Sequence, residues 1–276
     1  MRRLTAAGLV TPAALLVAVF LVLPMGLLAR YSLNRFVPGQ FMTEALTADN
    51  YVKAATDPYY RAVLGTTLLM AASVTLACLL LGMPLAMRLA RITSGWKPVL
   101  LLLLVLPLFV GNAVRAAGWM VVFGQKGVLN AGLAGLGLVP QTLMYTPAAV
   151  FVGILSVNLP FVVLTLASVL EGLDRSVDEA ALSLGASPAA GFRLVTLPRI
   201  LPGVLAAATL SFVLAMNAYA TPVLLGGPRF QMMAPVVATE ILQASNWPFG
   251  AAISFVLMGT TVAITTAAAL AFRERR

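Results

Sequence analysis

The sequence predicts an all-α, polytopic membrane protein with six transmembrane helices, and three observations carry that expectation. Of the 276 residues, 61% are hydrophobic and only 10% are charged, where a water-soluble domain carries about 25% charged residues. The charges that exist fall at the edges of apolar runs, each near the roughly 20 residues a helix needs to cross the hydrocarbon core. The length leaves room for about five to seven such runs with their connections and little for a soluble domain, so residues 1–276 read as a single transmembrane domain.

Taken in order, Arg3 and Arg30 bracket the first run, with a span at about residues 8–29. No small-x-small cleavage site precedes Arg30, so this run reads as an uncleaved anchor. Arg61 and Arg88 bracket the second span, 62–87. Lys97 opens the third, 97–121. Residues 125–140 are glycine-rich and weakly periodic, which suggests a short non-spanning loop or a re-entrant helix. The fourth span is 146–170. After a polar gap the fifth follows Pro202, a favoured first-turn residue, over 202–225, and the sixth covers 250–272. Pro24, Pro84, Pro107 and Pro160 lie within or beside spans and read as kinks, tolerated where neighbours satisfy the freed carbonyls.

Charge and composition exclude several functions. The net charge of +9 comes from residues that punctuate the spans rather than form a patch, so no nucleic-acid partner is expected. Six spans put both termini on one side, with Arg2, Arg3, Arg88, Arg91, Lys97, Arg175, Arg193, Arg199, Arg273, Arg275 and Arg276. The other side holds Arg30, Arg35, Lys53, Arg61, Arg115, Lys126 and Arg229. The excess makes the terminal side cytoplasmic. Cys78 is the single cysteine and there is no histidine, so no disulfide or cysteine-based metal site is available within the chain. All nine acids lie in loops or near span ends. A secondary transporter would need an ion-coupling carboxylate or histidine in the membrane, and a membrane enzyme a paired acid and base or a metal cluster; neither is visible.

The polar gap Glu171 to Ile200 divides into two short helices. Asp174, Ser176 and Asp178 suit a helix start. Ala180, Ala181, Leu182 and Leu184 give that helix an apolar face, and Gly185 can take a positive φ and end it. Ser187 reads as an N-cap with Pro188 at the first helical position of a second helix through Val195. Pro198 and Pro202 then restart the chain into the fifth span. By itself this is a cytoplasmic helix–turn–helix, suited to docking or to lying at the membrane interface.

Within that gap, Glu179 to Pro198 reads EAALSLGASPAAGFRLVTLP. The spacing of Glu179-Ala180-Ala181, Gly185, Val195, Leu197 and Pro198 resembles the EAA loop of bacterial ABC importer permeases. Val195 stands where that pattern usually has isoleucine. Other phrases extend the resemblance to membrane subunits of spermidine/putrescine-type importers, over about residues 10–272. They are Asn50-Tyr51 through Tyr60, Leu81 to Ala86, Val114-Arg115 with Gly118-Trp119-Met120, Gly127 to Asn130, Thr221 to Gly227 (TPVLLGG) and Asn246 to Gly250 (NWPFG).

The resemblance implies a type I importer permease of the bacterial inner membrane. Its partners would be two cytoplasmic ABC ATPase subunits, a second and homologous permease chain, and an external substrate-binding protein. The solute would be small and hydrophilic, polyamine-like; the same machinery could carry an amino acid, opine or phosphonate. No phosphate-binding loop G-x-x-x-x-G-K-[ST] is present, so ATP and Mg²⁺ would sit on the partner ATPase and this chain would bind no cofactor and be no enzyme.

Polar residues in apolar surroundings are the candidates for a translocation path: Asn112, Asn158, Asn217, Tyr219 and Thr221. An unpaired amide in lipid costs a few kcal/mol, so these should face the bundle interior, as path lining or as glue between helices. Arg115 would anchor at the interface or meet the binding protein, and Tyr31, Trp119 and Trp247 would join an interfacial belt.

Overall fold

The protein is described by a computed structural model covering residues 11, 12 and 15–273. The terminal arginines used in the topology argument (Arg2, Arg3, Arg275 and Arg276) lie outside the described residues. The described residues form helices joined by turns and irregular links, with one isolated bridge between Arg35 and Thr43. Five helices are long and apolar enough to cross a membrane, six if one bent pair counts as a span.

In chain order the helices are α1 (Leu15–Ser32), α2 (Asp49–Thr56), α3 (Pro58–Arg91), α4 (Lys97–Phe109), α5 (Asn112–Phe123), α6 (Val128–Gly135), α7 (Pro147–Glu171), α8 (Arg175–Ser183), α9 (Pro188–Met216), α10 (Met233–Leu242) and α11 (Trp247–Arg273). The chain divides into two compact units. One comprises residues up to Ala62 with Val236–Val262; the other comprises Val63–Pro235 with the residues from Ala263 onward.

Two expected spans take a different form. The third, 97–121, is not straight: α4 and Asn112–Gly135 meet at 99°. Pro107 lies in the 3₁₀ turn that ends α4, and the chain is extended at Val110. Arg115 clasps this bend, its Nη2 donating to the Pro107 carbonyl at 2.7 Å and the Val110 carbonyl at 2.9 Å. The Pro107 carbonyl also accepts the Val110 N–H at 3.2 Å, and the Val110 carbonyl lies in the extended link beyond the helix. Arg115 therefore braces this bend within the chain.

The fifth span, expected at 202–225, begins earlier and ends earlier. Pro198 and Pro202 do not restart the chain; α9 runs unbroken from Pro188 to Met216. A π turn at Phe192–Thr196 immediately precedes Pro198. Proline cannot donate to the preceding turn and crowds its carbonyl, and a widened turn absorbs that mismatch. The same device recurs at Ala18–Val22 before Pro24 and at Pro222–Gly226.

In the first unit, the Asn50-Tyr51 phrase fastens the end of α1. Asn50 Nδ2 donates to the Ser32 and Asn34 carbonyls at 2.8 and 2.9 Å, and the Tyr51 hydroxyl lies 2.7 Å from Ser32 Oγ. The NWPFG phrase starts α11: Asn246 Oδ1 accepts the Phe249 N–H, and Pro248 occupies the first turn. Gly250 lets Ile241 approach so closely that a Cβ would lie 2.4 Å from Ile241 Cγ1.

In the second unit, α7 and α9 form the principal helix pair. A Cβ on Gly203 would lie 2.6 Å from Val169 Cγ2. Trp119 Nε1 donates to Ser156 Oγ at 3.0 Å and stacks on Phe123, tying α5 to α7. Asn130 gathers the 124–141 segment by donating to the carbonyls of Gly124, Gln125 and Gln141 and accepting the Gln141 N–H.

Gly203→Ala should overpack the α7–α9 contact and cost about 1–3 kcal/mol, lowering the thermal midpoint of the detergent-solubilised protein. Val169→Ala in the same chain should restore most of the loss. A midpoint unchanged by Gly203→Ala would show that the contact is looser than described.

Candidate functional site: a polar cavity and an exposed helix–turn–helix loop

The loop at 171–200 is built from strong local signals. Asp174 caps α8, its Oδ1 accepting the Ser176 N–H at 3.0 Å. That bond, with a second from the Ser176 side chain, holds the Asp174 carboxyl below its ordinary value. The end of α8 closes where Ala186 N–H reaches the Ala181 carbonyl at 3.1 Å, with Gly185 at φ +85°. This is the six-to-one bond of a helix end completed by a left-handed residue. Ser187 Oγ then accepts the Ala190 N–H at 3.3 Å and opens α9.

The loop presents apolar side chains outward. Leu184 is 89% exposed and Leu194 is 73% exposed. Ala180 and Pro198 are also exposed, while Ala181, Val195 and Leu197 are half-buried. The side chain of Glu179 lies outside the described residues; its backbone belongs to α8. Lys97 and Glu171 form an ion pair at 2.8 Å that ties the start of α4 to the end of α7. Behind the loop, Met87 and Arg91 of α3 share a cavity of about 410 Å³ with Pro188, Ala189 and Phe192 of α9. Leu194 lay between the motif positions that the sequence singled out; no charge or glycine signal marked it.

A second cavity, also about 410 Å³, gathers all five polar candidates: Asn112, Asn158, Asn217, Tyr219 and Thr221, between α5, α7 and α9. Its lining carries no formal charge. Asn158 is 1% exposed and donates across to α9, to the Ser211 carbonyl at 2.9 Å and to Ser211 Oγ at 3.3 Å. It is therefore interhelical glue placed at the cavity wall. Asn217 sits at the end of α9, its Nδ2 bonded to the Val213 carbonyl at 2.9 Å, and remains exposed, as does Tyr219.

Sequence reasoning missed the small residues that shape this wall. A Cβ on Gly153 would lie 2.5 Å from Thr221 Cγ2 and 2.7 Å from Leu225 Cδ1, so the glycine lets the TPVLLGG turn lie against α7. At its far end Gly227 has φ +65° beneath the Tyr145 ring, and the Tyr145 N–H donates to the Leu225 carbonyl at 3.0 Å. Glycines spaced within an apolar helix were the available signal.

Two helix termini meet the cavity. The C-terminus of α9 brings carbonyl oxygens and the negative end of its dipole, and the start of α5 at Asn112 brings N–H groups without a side-chain cap. The site can therefore hydrogen-bond donors and acceptors alike without fixed charge. Because α9 is continuous, the same 29-residue helix, about 43 Å long at 1.5 Å per residue, carries the exposed loop at one end and the cavity at the other.

These features describe a membrane translocation subunit, and comparison with known proteins gives the same class. Residues 78–276 match the family described as the binding-protein-dependent transport system inner membrane component. The chain belongs to that family: it is a multi-pass inner-membrane permease of a binding-protein-dependent ABC importer, a transport subunit and not an enzyme. It is 38% identical over 219 residues, 79% of each chain, to the spermidine/putrescine transport system permease protein PotB of Escherichia coli (strain K12). To PotB of Haemophilus influenzae (strain ATCC 51907 / DSM 11121 / KW20 / Rd) it is 36% identical over 239 residues, 86% of this chain and 81% of that one. The fold matches a solved bacterial ABC transporter involved in import of the acidic polysaccharide alginate, with a TM-score of 0.81 at 16% identity, covering 99% of this chain and 96% of that one.

Gly185→Val should destabilise the end of α8 by about 1–2 kcal/mol, the cost of a left-handed conformation for a residue with a Cβ. Nothing lies within 4 Å of the added Cβ, so the effect should be purely conformational. Hydrogen exchange of Arg175–Ser183 should accelerate severalfold while α9 is unchanged; equal protection would show that the turn does not depend on glycine.

Proposed function

We propose that this permease imports a small hydrophilic solute of the polyamine class through the cavity at Asn112, Asn158, Asn217, Tyr219 and Thr221. Movement would be driven by ATPase subunits docked at Glu179 to Pro198. The observation that carries this reading is the single helix α9, which joins the outward-facing loop to the cavity. A displacement at Leu194, on α9 itself, would reach Asn217 through one helix, and Leu184 lies on the turn that leads into it.

The assembly has two permeases, this chain and a homologous one, with two cytoplasmic ATPases that hold ATP and Mg²⁺ and an external binding protein that delivers the solute. This chain binds no cofactor. Both termini are cytoplasmic, on the same side as the loop. The polyamine assignment is supported by the names of the similar permeases and by the sequence phrases. An uncharged lining suits a cation that must pass without being trapped: carbonyl and amide oxygens attract it, and no buried carboxylate retains it.

The reconstituted complex in proteoliposomes should take up spermidine or putrescine only with ATP and the cognate binding protein. Asn217→Leu should cut uptake about tenfold, equivalent to about 1.4 kcal/mol, while leaving ATPase retention intact. Leu184→Asp should do the reverse and release ATPase from the membrane subunits. Saturable uptake without binding protein, or tight binding of a sugar or an anion alone by that protein, would overturn the reading.

Reporter fusions after Ser183 and at Arg276 should both report a cytoplasmic location, as the basic asymmetry requires. Opposite locations would refute the six-span arrangement.

A further inference from the structure

In the first unit, outside the cavity and the loop, a lysine ammonium is held by aromatic faces. Lys53 Nζ lies 4.5 Å from the Phe249 ring centroid and 5.7 Å from that of Tyr60, both within the range of about 6 Å for attraction between a cation and a ring. The two rings meet edge to face at 4.7 Å and 65°, and Tyr59 packs on Tyr60 at 5.0 Å. The Tyr60 hydroxyl donates to Glu240 Oε1 at 2.8 Å. Asp57, three residues before Tyr60, accepts the Tyr59 N–H on its Oδ1 at 2.9 Å.

Lys53 itself is exposed, and among the described residues its ammonium has no ion pair and no hydrogen bond. Only the rings hold it. The rings themselves are nearly buried, Phe249 at 1% and Tyr60 at 8% exposure, and Glu240 orients Tyr60. The receptor is thus rigid and its occupant loose.

We propose that Tyr60, Phe249 and Glu240 form an alkylammonium site, filled in this structure by Lys53 and open to the primary amine of a diffusible polyamine when Lys53 moves away. The end of a lysine side chain is a primary ammonium on a four-carbon stem, chemically one end of a butane-1,4-diamine. Removing it leaves two ring faces with the Glu240 and Asp57 carboxylates beside them, a set that suits a diammonium. The spans carry no acid, so these two carboxylates, at the margins of helices, supply the charge recognition that the uncharged cavity lacks. Lys53 acts as a built-in competitor that keeps the site weak and lets cargo leave. The choice of ligand rests on the polyamine reading; the site itself rests on the geometry.

The test is direct binding of putrescine and of butylammonium to the complete importer in lipid nanodiscs without binding protein. Lys53→Met keeps the stem and removes the charge, and should tighten both ligands about tenfold. Lys53→Arg retains a cation over the rings and should bind as weakly as the unmodified protein. Adding Glu240→Gln to Lys53→Met should abolish the gain, because the amide still accepts from Tyr60 but no longer attracts the amine. Unchanged binding in Lys53→Met, or a gain that survives Glu240→Gln, would overturn the proposal. Uptake by the same preparation separates the two readings. Polyamine uptake without the gain sinks the site alone, whereas the butylammonium gain in an importer of some other solute keeps the site and sinks the polyamine assignment.

Discussion

The close approach of α7 and α9 is the contact on which the second unit depends. Lipid offers no hydrophobic drive between two apolar helices, so their association needs close van der Waals packing and interhelical hydrogen bonds. Both are present: Gly203 receives Val169, and Asn158 donates to Ser211 across the pair. The same residues that hold the helices together also build the cavity wall. Asn158 cannot be classed as glue or lining, because at a helix interface beside an opening one amide does both.

Most prolines here do not break helices: Pro84, Pro160 and Pro202 lie inside α-helix, and others sit at or beside widened turns. Each of the three π turns lies beside or contains a proline, and the one at Phe192–Thr196 has a mechanical result. It lies just before Pro198, and Pro202 follows inside regular α-helix, so the end of the loop and the cavity wall share one element. The bend between α4 and α5 is the contrasting case. There the helix does break, and Arg115 donates to the Pro107 and Val110 carbonyls at the break, the kind of partner that irregular backbone needs away from water.

Charge is distributed with equal economy. The cavity is lined by amides, hydroxyls and helix termini and carries no formal charge. Acids are kept to positions where water or a partner balances them: Asp174 at a helix cap, Glu171 paired with Lys97, and Glu240 under the Tyr60 hydroxyl.

Much was legible in the sequence because membranes impose simple rules. Apolar run length and charge punctuation located the helices, and Asp174, Gly185, Ser187 and Pro188 outlined the loop through backbone preferences that act locally. The five polar candidates were recognisable because an amide or hydroxyl among leucines needs a partner. What those partners are was beyond reach. That Asn158 meets Ser211, that Gly153 receives Thr221, and that Lys53 lies over Phe249 are pairings between residues 53, 68 and 196 positions apart, set by packing that local preference does not encode. The sequence also misled at Pro202, which lies inside an α-helix rather than at a boundary. Residue types determined which segments are apolar enough to cross a membrane and how the loop turns; the tertiary structure alone decided that one continuous helix carries both the end of the loop and the cavity wall, because the fit of Gly203 and Ser211 against α7 is not encoded in local preference.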